Sequence, residues 1–233
     1  MMNEKIRRAI IFDSSTLITF AMNGLLNELR GLKRIFKGSF VITKDVKRET
    51  IDKPLTIKRF EFEALKIKQL LDEGVLEMSS SLGVDDAELS RKTKEVLEIA
   101  NNTFTGGGKN IHIIDAGEAS CLALSRILEK RKIKNVISVD ERTTRMLGER
   151  PENLKKLLQK KLHTSITSKK GNYGFFSGFR FIRSSELAYV AYKKGLVRLK
   201  NGPVLDALLY AVKFNGCSIS DAEINEIKKM GKI

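Results

Sequence analysis

The sequence predicts an α/β fold, an open and mostly parallel sheet of five strands flanked by helices. Three observations carry that expectation. Short apolar runs alternate with longer segments whose apolar residues recur at helical spacing. Glycine or proline punctuates many of the junctions. Four apolar stretches end at or just before a carboxylate, and strand ends in such sheets are where loops gather distant residues.

Residues 8–13 read as a buried strand, with Ser14 and Ser15 starting a helix that turns apolar at Thr16. A second helix covers 25–36, and Gly38 stops it. The strand 39–43 follows, then a short helix carrying Glu49. Beyond Pro54 a helix is expected over 56–72, because Ile57, Phe60, Ala64, Ile67 and Leu71 would line one face. Residues 75–78 form the third strand, and Asp85 or Asp86 caps a helix reaching Asn101. Residues 105–109, with three consecutive glycines, read as a flexible loop. Helix 115–130, strand 135–139 and a helix from Glu141 continue the alternation.

The rhythm then breaks. Residues 151–162 read as a basic helix with proline in its first turn. An extended insertion leads to the last strand, near 179–182. Three helices follow from Ser184, broken at 195–202 and 215–216. Without repeats or a serine- or proline-rich linker, the organisation is one domain over 1–233, with 150–178 as an insertion and 184–233 as a C-terminal helical extension.

Composition narrows the function classes. With 42% hydrophobic and 30% charged residues the chain folds rather than remaining disordered. Lys and Arg number 43 against 28 Asp and Glu, a formal net charge of +15, which favours a polyanionic partner. No apolar run approaches the roughly 20 residues of a membrane span. Asp13 interrupts any signal-peptide core behind the basic residues 1–8, so the expected location is cytoplasmic and away from the membrane. Cys121 and Cys217 are far apart and read as core residues; His112 and His163 are isolated, which leaves no basis for a histidine metal site or a Ser-His-Asp triad.

The carboxylates are the candidates for chemistry. Asp13 follows Ala-Ile-Ile-Phe and either caps a helix or, with Ser14 and Ser15 capping instead, is free to act. Glu49 lies in a Lys/Arg-rich turn, as a surface charge or as part of the cluster. Asp115 and Glu118 share a helix face in a first turn, where the helix dipole alone would also favour them. Asp140 ends an apolar strand and could also be a cap. Such an all-oxygen set suits Mg²⁺ or Mn²⁺, which activates water and neutralises a phosphate.

The order of these pieces resembles the PIN-domain family of metal-dependent ribonucleases, which includes the VapC-like toxins. The matching residues are Phe12-Asp13-Ser14-Ser15-Thr16-Leu17-Ile18, Val46-Lys47-Arg48-Glu49, Asp115-Ala116-Gly117-Glu118-Ala119 and Ser138-Val139-Asp140-Glu141-Arg142 with Arg145. A C-terminal part also resembles one PIN subgroup, in which the Gly-Glu pair supplies the third acid. The resemblance runs with gaps from Ile10 to about Ile227. It implies a three-layer fold and a metal site of Asp13, Glu49, Glu118 and Asp140, with Asp115 as a possible fifth member. It also implies Ser15 and Ser138 as hydroxyls that orient the carboxylates. Arg142, either in contact with substrate phosphate or paired with a nearby acid, follows from it as well. The implied activity is RNA phosphodiester hydrolysis, with a homodimer and an antitoxin-like or RNA-processing partner among the family's habits. Two features depart from it: Ile182-Arg183-Ser184-Ser185-Glu186 replaces the usual Thr-Gly-like turn after the last strand, and the chain is larger than a minimal member.

Lys155, Lys156, Lys160 and Lys161, then Lys169 and Lys170, precede Tyr173, Phe175, Phe176, Phe179 and Phe181, among which Arg180 is interleaved. They read either as an RNA-binding arm, lysines on phosphates and aromatics on bases, or as a core strand beside solvated lysines. Two competing expectations stand beside the ribonuclease: an RNA-binding or scaffold protein with a vestigial site, and a small-molecule phosphohydrolase.

Overall fold

The computed structural model describes residues 8–200 and 202–231, so most of the basic segment ahead of the first strand lies outside the described residues. The first strand, β1 (Arg8–Phe12), is followed by α1 (Ser14–Met22), α2 (Leu26–Ile35) and β2 (Ser39–Ile42). Helix α3 (Lys44–Lys47) runs into one wide π-helical turn, Arg48–Asp52, which carries Glu49. Then come α4 (Glu61–Asp72), β3 (Glu77–Met78), α5 (Asp86–Asn101), β4 (Phe104–Gly106), β5 (Lys109–Asn110) and α6 (Ala116–Lys130). The second half holds β6 (Lys134–Ser138), α7 (Arg142–Glu149), α8 (Pro151–Leu162), β7 (Ile166–Ser168), β8 (Phe181–Ile182), α9 (Ser184–Lys193), α10 (Val204–Phe214) and α11 (Asp221–Gly231).

Five strands form one sheet in the order β3-β2-β1-β6-β8, and every pairing is parallel. Ile10, Ile11 and Phe12 are all buried, as expected of a central parallel strand covered on both faces. Helices flank the sheet in a three-layer arrangement. One group comprises α1, α2 and α4 with α9, α10 and α11; α5 and α6 form another, with α6 packed on β1 and β6. The chain winds from β1 to β2 and β3 on one side, then returns to β6 and β8 on the other. Binding crevices of open α/β sheets form where the winding direction reverses, beyond the carboxyl ends of the strands. Here that place is above β1 and β6.

Register sets the levels there. Phe12 pairs with Ser138, and Ser138 with Ile182. Asp13 is therefore one residue beyond a paired end, while Asp140 and Ser184 are each two beyond. Extended backbone alternates its side chains, so Asp13 and Asp140 depart toward opposite sides.

Two expectations are corrected. The helix expected over 56–72 begins at Glu61, leaving Ile57 and Phe60 38% and 45% exposed. Pro54–Thr56 forms a tight 3₁₀ turn closed by the Thr56 hydroxyl on the Lys53 carbonyl (2.7 Å), and Ile57 is extended rather than helical. Residues 105–109 are a β-hairpin tip, not a loose loop. Gly107 and Gly108 take φ of +57° and +77°, the left-handed pair that a two-residue turn needs. That hairpin pairs with β7, so part of the insertion builds a second, three-stranded antiparallel sheet, β5-β4-β7. Among the described residues no helix is long and apolar enough to cross a membrane.

Candidate functional site

Asp13 is the N-cap of α1 and is 1% exposed. Its Oδ2 accepts from the Ser15 backbone N–H at 3.0 Å and from the Ser15 hydroxyl at 2.5 Å. Its Oδ1 is buried without a hydrogen-bond partner. The capping reading therefore holds for one oxygen, with Asp13 rather than Ser14 or Ser15 as the cap, and the other oxygen is left unbonded. Burial raises its pKa to about 6, with the Glu49 charge adding to it and the Ser15 hydrogen bonds opposing it.

Glu49 reaches the same place from the wide turn after α3. The Ser14 hydroxyl donates to its Oε2 at 2.8 Å, and the Gly117 N–H at the start of α6 donates to Oε1 at 3.1 Å. An anion belongs at that helix end by charge as well as by hydrogen bonding. Gly117 must be glycine for this approach, since a Cβ there would lie 2.8 Å from the Glu49 carboxyl carbon. Thr43 caps α3 and bonds Ser120 at 2.6 Å, and Ser120 in turn donates to the Gly117 carbonyl, tying the Glu49 turn to α6.

Glu118 completes the group. Its Oε2 accepts from the Asp115 N–H at 3.0 Å, and its Oε1 accepts from the Thr144 hydroxyl on α7. Burial first, and then the Asp13 charge, push its pKa up to about 8; Thr144 opposes the shift and the Glu141 charge adds to it. Cys121, one turn further along α6, is buried below, and its thiol is held well above its usual range by burial and by Asp13, Glu49 and Glu118.

Asp140 is 0% exposed but has a different partner. Its Oδ1 accepts from the Ser184 N–H at 2.8 Å, at the first turn of α9, and its Oδ2 is buried and unbonded. Only its backbone N–H turns to the cluster, donating to the Ser15 hydroxyl at 3.0 Å. Asp115 faces solvent, its side chain 78% exposed and bonded to His112 at 2.7 Å. Ser138 donates to Thr16 at 3.2 Å rather than to a carboxylate. Arg142 is exposed at the start of α7, and Arg145 donates to the Ser218 carbonyl at 2.9 Å. Lys169 is exposed beside the small sheet, Lys170 is ion-paired with Glu152 at 3.4 Å, and Arg180 is exposed just before β8. The insertion's Phe176 and Phe179 are buried.

The cluster thus joins Asp13, Glu49 and Glu118, with Thr144 and Glu141 as contributors to which sequence reasoning assigned no role, while Ser14, expected as a cap, and Gly117 hold Glu49 instead. Glu141 had a legible signal. It lies three residues past the Ser138 pairing, on the same side of the strand's alternation as Asp13. Among the described residues no three His, Cys, Asp or Glu side chains stand together as a metal-ligating set. Glu49 and Glu118 are held by protein donors, and of the two buried, unbonded carboxylate oxygens, Asp13 Oδ1 and Asp140 Oδ2, it is Asp13's that belongs to the carboxylate beside them. All-oxygen chemistry and mutual repulsion fit a hard divalent ion. Comparison of the chain with models of protein families, with curated proteins and with solved structures finds no match in any of the three.

Proposed function

We propose that this protein is a metal-dependent endoribonuclease that hydrolyses RNA phosphodiester bonds, as its resemblance to the PIN-domain family implies. The observation that carries this reading is a buried Asp13 with an unbonded oxygen, crowded by Glu49 and Glu118, in a chain of net charge +15. A divalent cation, Mg²⁺ or Mn²⁺, would be held by Asp13, Glu49 and Glu118 and supplies, when bound, an activated water and charge neutralisation at the phosphate. Ser15 fixes one oxygen of Asp13 so that the other stays directed and free. Ser14 and Gly117 fix Glu49. Glu118, with a pKa near 8, holds a proton at neutral pH in the protein alone and releases it when positive charge arrives. Thr144 holds the Glu118 carboxyl in place through that change.

The test is Mn²⁺- or Mg²⁺-dependent cleavage of single-stranded RNA by the parent, Asp13→Asn and Glu118→Gln. Loss of cleavage in both variants is expected; parent-like rates in either would defeat the reading. A second reading, an RNA-binding protein with a vestigial site, is favoured by one observation: Asp140 is engaged by α9 at Ser184, in the turn that departs from the family. Calorimetry separates the two, because a vestigial site takes up no Mn²⁺.

A further inference from the structure

The opposite side of α7 carries a second constellation. Thr144 faces Glu118, whereas Arg142 and Arg145, three residues apart, share another face of the helix. That face lines a cleft of about 570 Å³, together with Arg150, Asn153, Lys213 and Ser218. Lys213 is ion-paired with Asp221, and the neighbouring Arg183 with Glu186 and Glu223. Among the described residues Arg142, Arg145 and Arg150 have no ion-pair partner. Of the acids at the rim, Glu223 is taken by Arg183 and Ser220, which leaves Glu149 against three guanidinium groups without an ion pair, of which Arg145 donates to the Ser218 carbonyl.

The charge continues out of the cleft. Asn153, Lys156 and Lys160 recur at helical spacing along α8, all exposed, over roughly 10 Å of helix. The other face of α8 is buried through Leu154 and Leu158, and Leu162 at its end is its one strongly exposed apolar side chain, too little for a face that inserts into a lipid headgroup layer. Phe176 and Phe179 are also buried and offer no ring for a base to stack on. What remains is a track of cations without a stacking platform, the chemistry of phosphate backbone contact.

We infer that the α7–α8 cleft and the exposed stripe of α8 hold the phosphate backbone of an RNA strand without reading its bases, on the far side of α7 from the acid cluster. The inference rests on the ribonuclease reading only for its choice of RNA as the polyanion. It predicts high salt sensitivity and little sequence preference.

The test uses the full chain and a fluorescently labelled single-stranded RNA, with binding measured by polarisation from low to moderate salt, without divalent cations. Arg150→Gln/Lys156→Gln/Lys160→Gln is compared with Lys194→Gln/Arg198→Gln/Lys200→Gln, which removes equal charge from exposed positions at the end of α9 and beyond. The track variant is expected to raise Kd and to reduce the slope of log K against log salt by about 2, roughly 0.7 per lost phosphate contact. The control variant should keep most of its slope, and both should retain the parent's melting temperature. Equal weakening in the two variants, no weakening in either, or a loss of binding to phosphatidylserine vesicles with RNA affinity intact would each overturn it. Asp13→Asn separates the two proposals: it should keep RNA affinity while losing cleavage. Cleavage unaffected by the track variant sinks this inference alone, and track-dependent binding with no cleavage sinks the nuclease alone.

Discussion

Two aspartates leave neighbouring parallel strands at nearly the same level, and the fold treats them differently. Asp13, beyond β1, keeps one oxygen bonded to Ser15 and leaves the other buried and unbonded, within reach of the Glu49 and Glu118 charges. Asp140, beyond β6, is buried more completely but gives its Oδ1 to the Ser184 N–H of α9. Burial, and then the Glu49 charge, destabilise the ionised form of the first, while the second ties a helix end to the sheet. The lesson is that the side of the pleat a strand-end carboxylate leaves from decides which partners it meets, α1 with Glu49 and Glu118 for Asp13, and α9 for Asp140.

The largest expected effect concerns Asp140. Asp140→Ala should cost about 2–4 kcal/mol, because it orphans a buried N–H and empties the site of a bonded side chain. Asp140→Asn keeps an acceptor and should cost roughly half of that. Urea unfolding measures both, and a loss below about 1 kcal/mol for the alanine variant would remove the structural role assigned here.

Asp13 should respond to pH in the opposite sense to most carboxylates. Its folded pKa is about 6 and that of Glu118 about 8, against 3.8 and 4.5 unperturbed. The native state therefore binds more protons than the unfolded chain between about pH 4 and 8. Stability is highest at the acidic end of that window and falls as pH rises through the folded values, by roughly 3 kcal/mol for Asp13 alone. Asp13→Asn should flatten that decline between about pH 4 and 6, where Asp13 holds its extra proton only in the folded chain. A melting temperature that climbs from pH 5 to 8 would contradict the crowding of acids.

Divalent cation should offset the same repulsion. Mn²⁺ at about 100 times its Kd would stabilise the parent by about 2.7 kcal/mol at pH 7.5, and Asp13→Asn should lose most of this. Scanning calorimetry at two metal concentrations reads the difference. Gly117→Ala follows, at about 1–3 kcal/mol, because its Cβ would displace the Glu49 carboxylate. The diagnostic is a cleavage rate reduced more than stability accounts for. Smallest is Thr144→Val, about 1 kcal/mol, which removes a donor from the Glu118 carboxylate and should shift the acidic limb of a pH–rate profile upward.

Much of the frame was legible beforehand. The five main-sheet strands follow from apolar runs such as Ala9–Ile11, and the insertion helix from Pro151 followed by Leu154 and Leu158 at helical spacing. The antiparallel sheet was not legible, because β7 has only three residues and its partner is some 60 residues away in the chain. The helix expected from Ile57 failed because a local turn at Pro54 closed first. Within the site, Asp13 and Glu118 stood out as acids at element starts. Thr144 did not, since a threonine inside a basic helix carries no mark of its partner.

Local sequence determined which segments are strands and helices, where acids meet element ends, and that a net charge of +15 would surround them. Those properties depend on spacing and composition within a few residues. Tertiary structure alone decided that Glu49 joins Asp13, that Asp140 belongs to α9, and that α7 separates an acidic face from a basic cleft. Each depends on strand register and helix packing, which bring together residues far apart in the chain, and a one-residue change of register would reverse which aspartate faces which side.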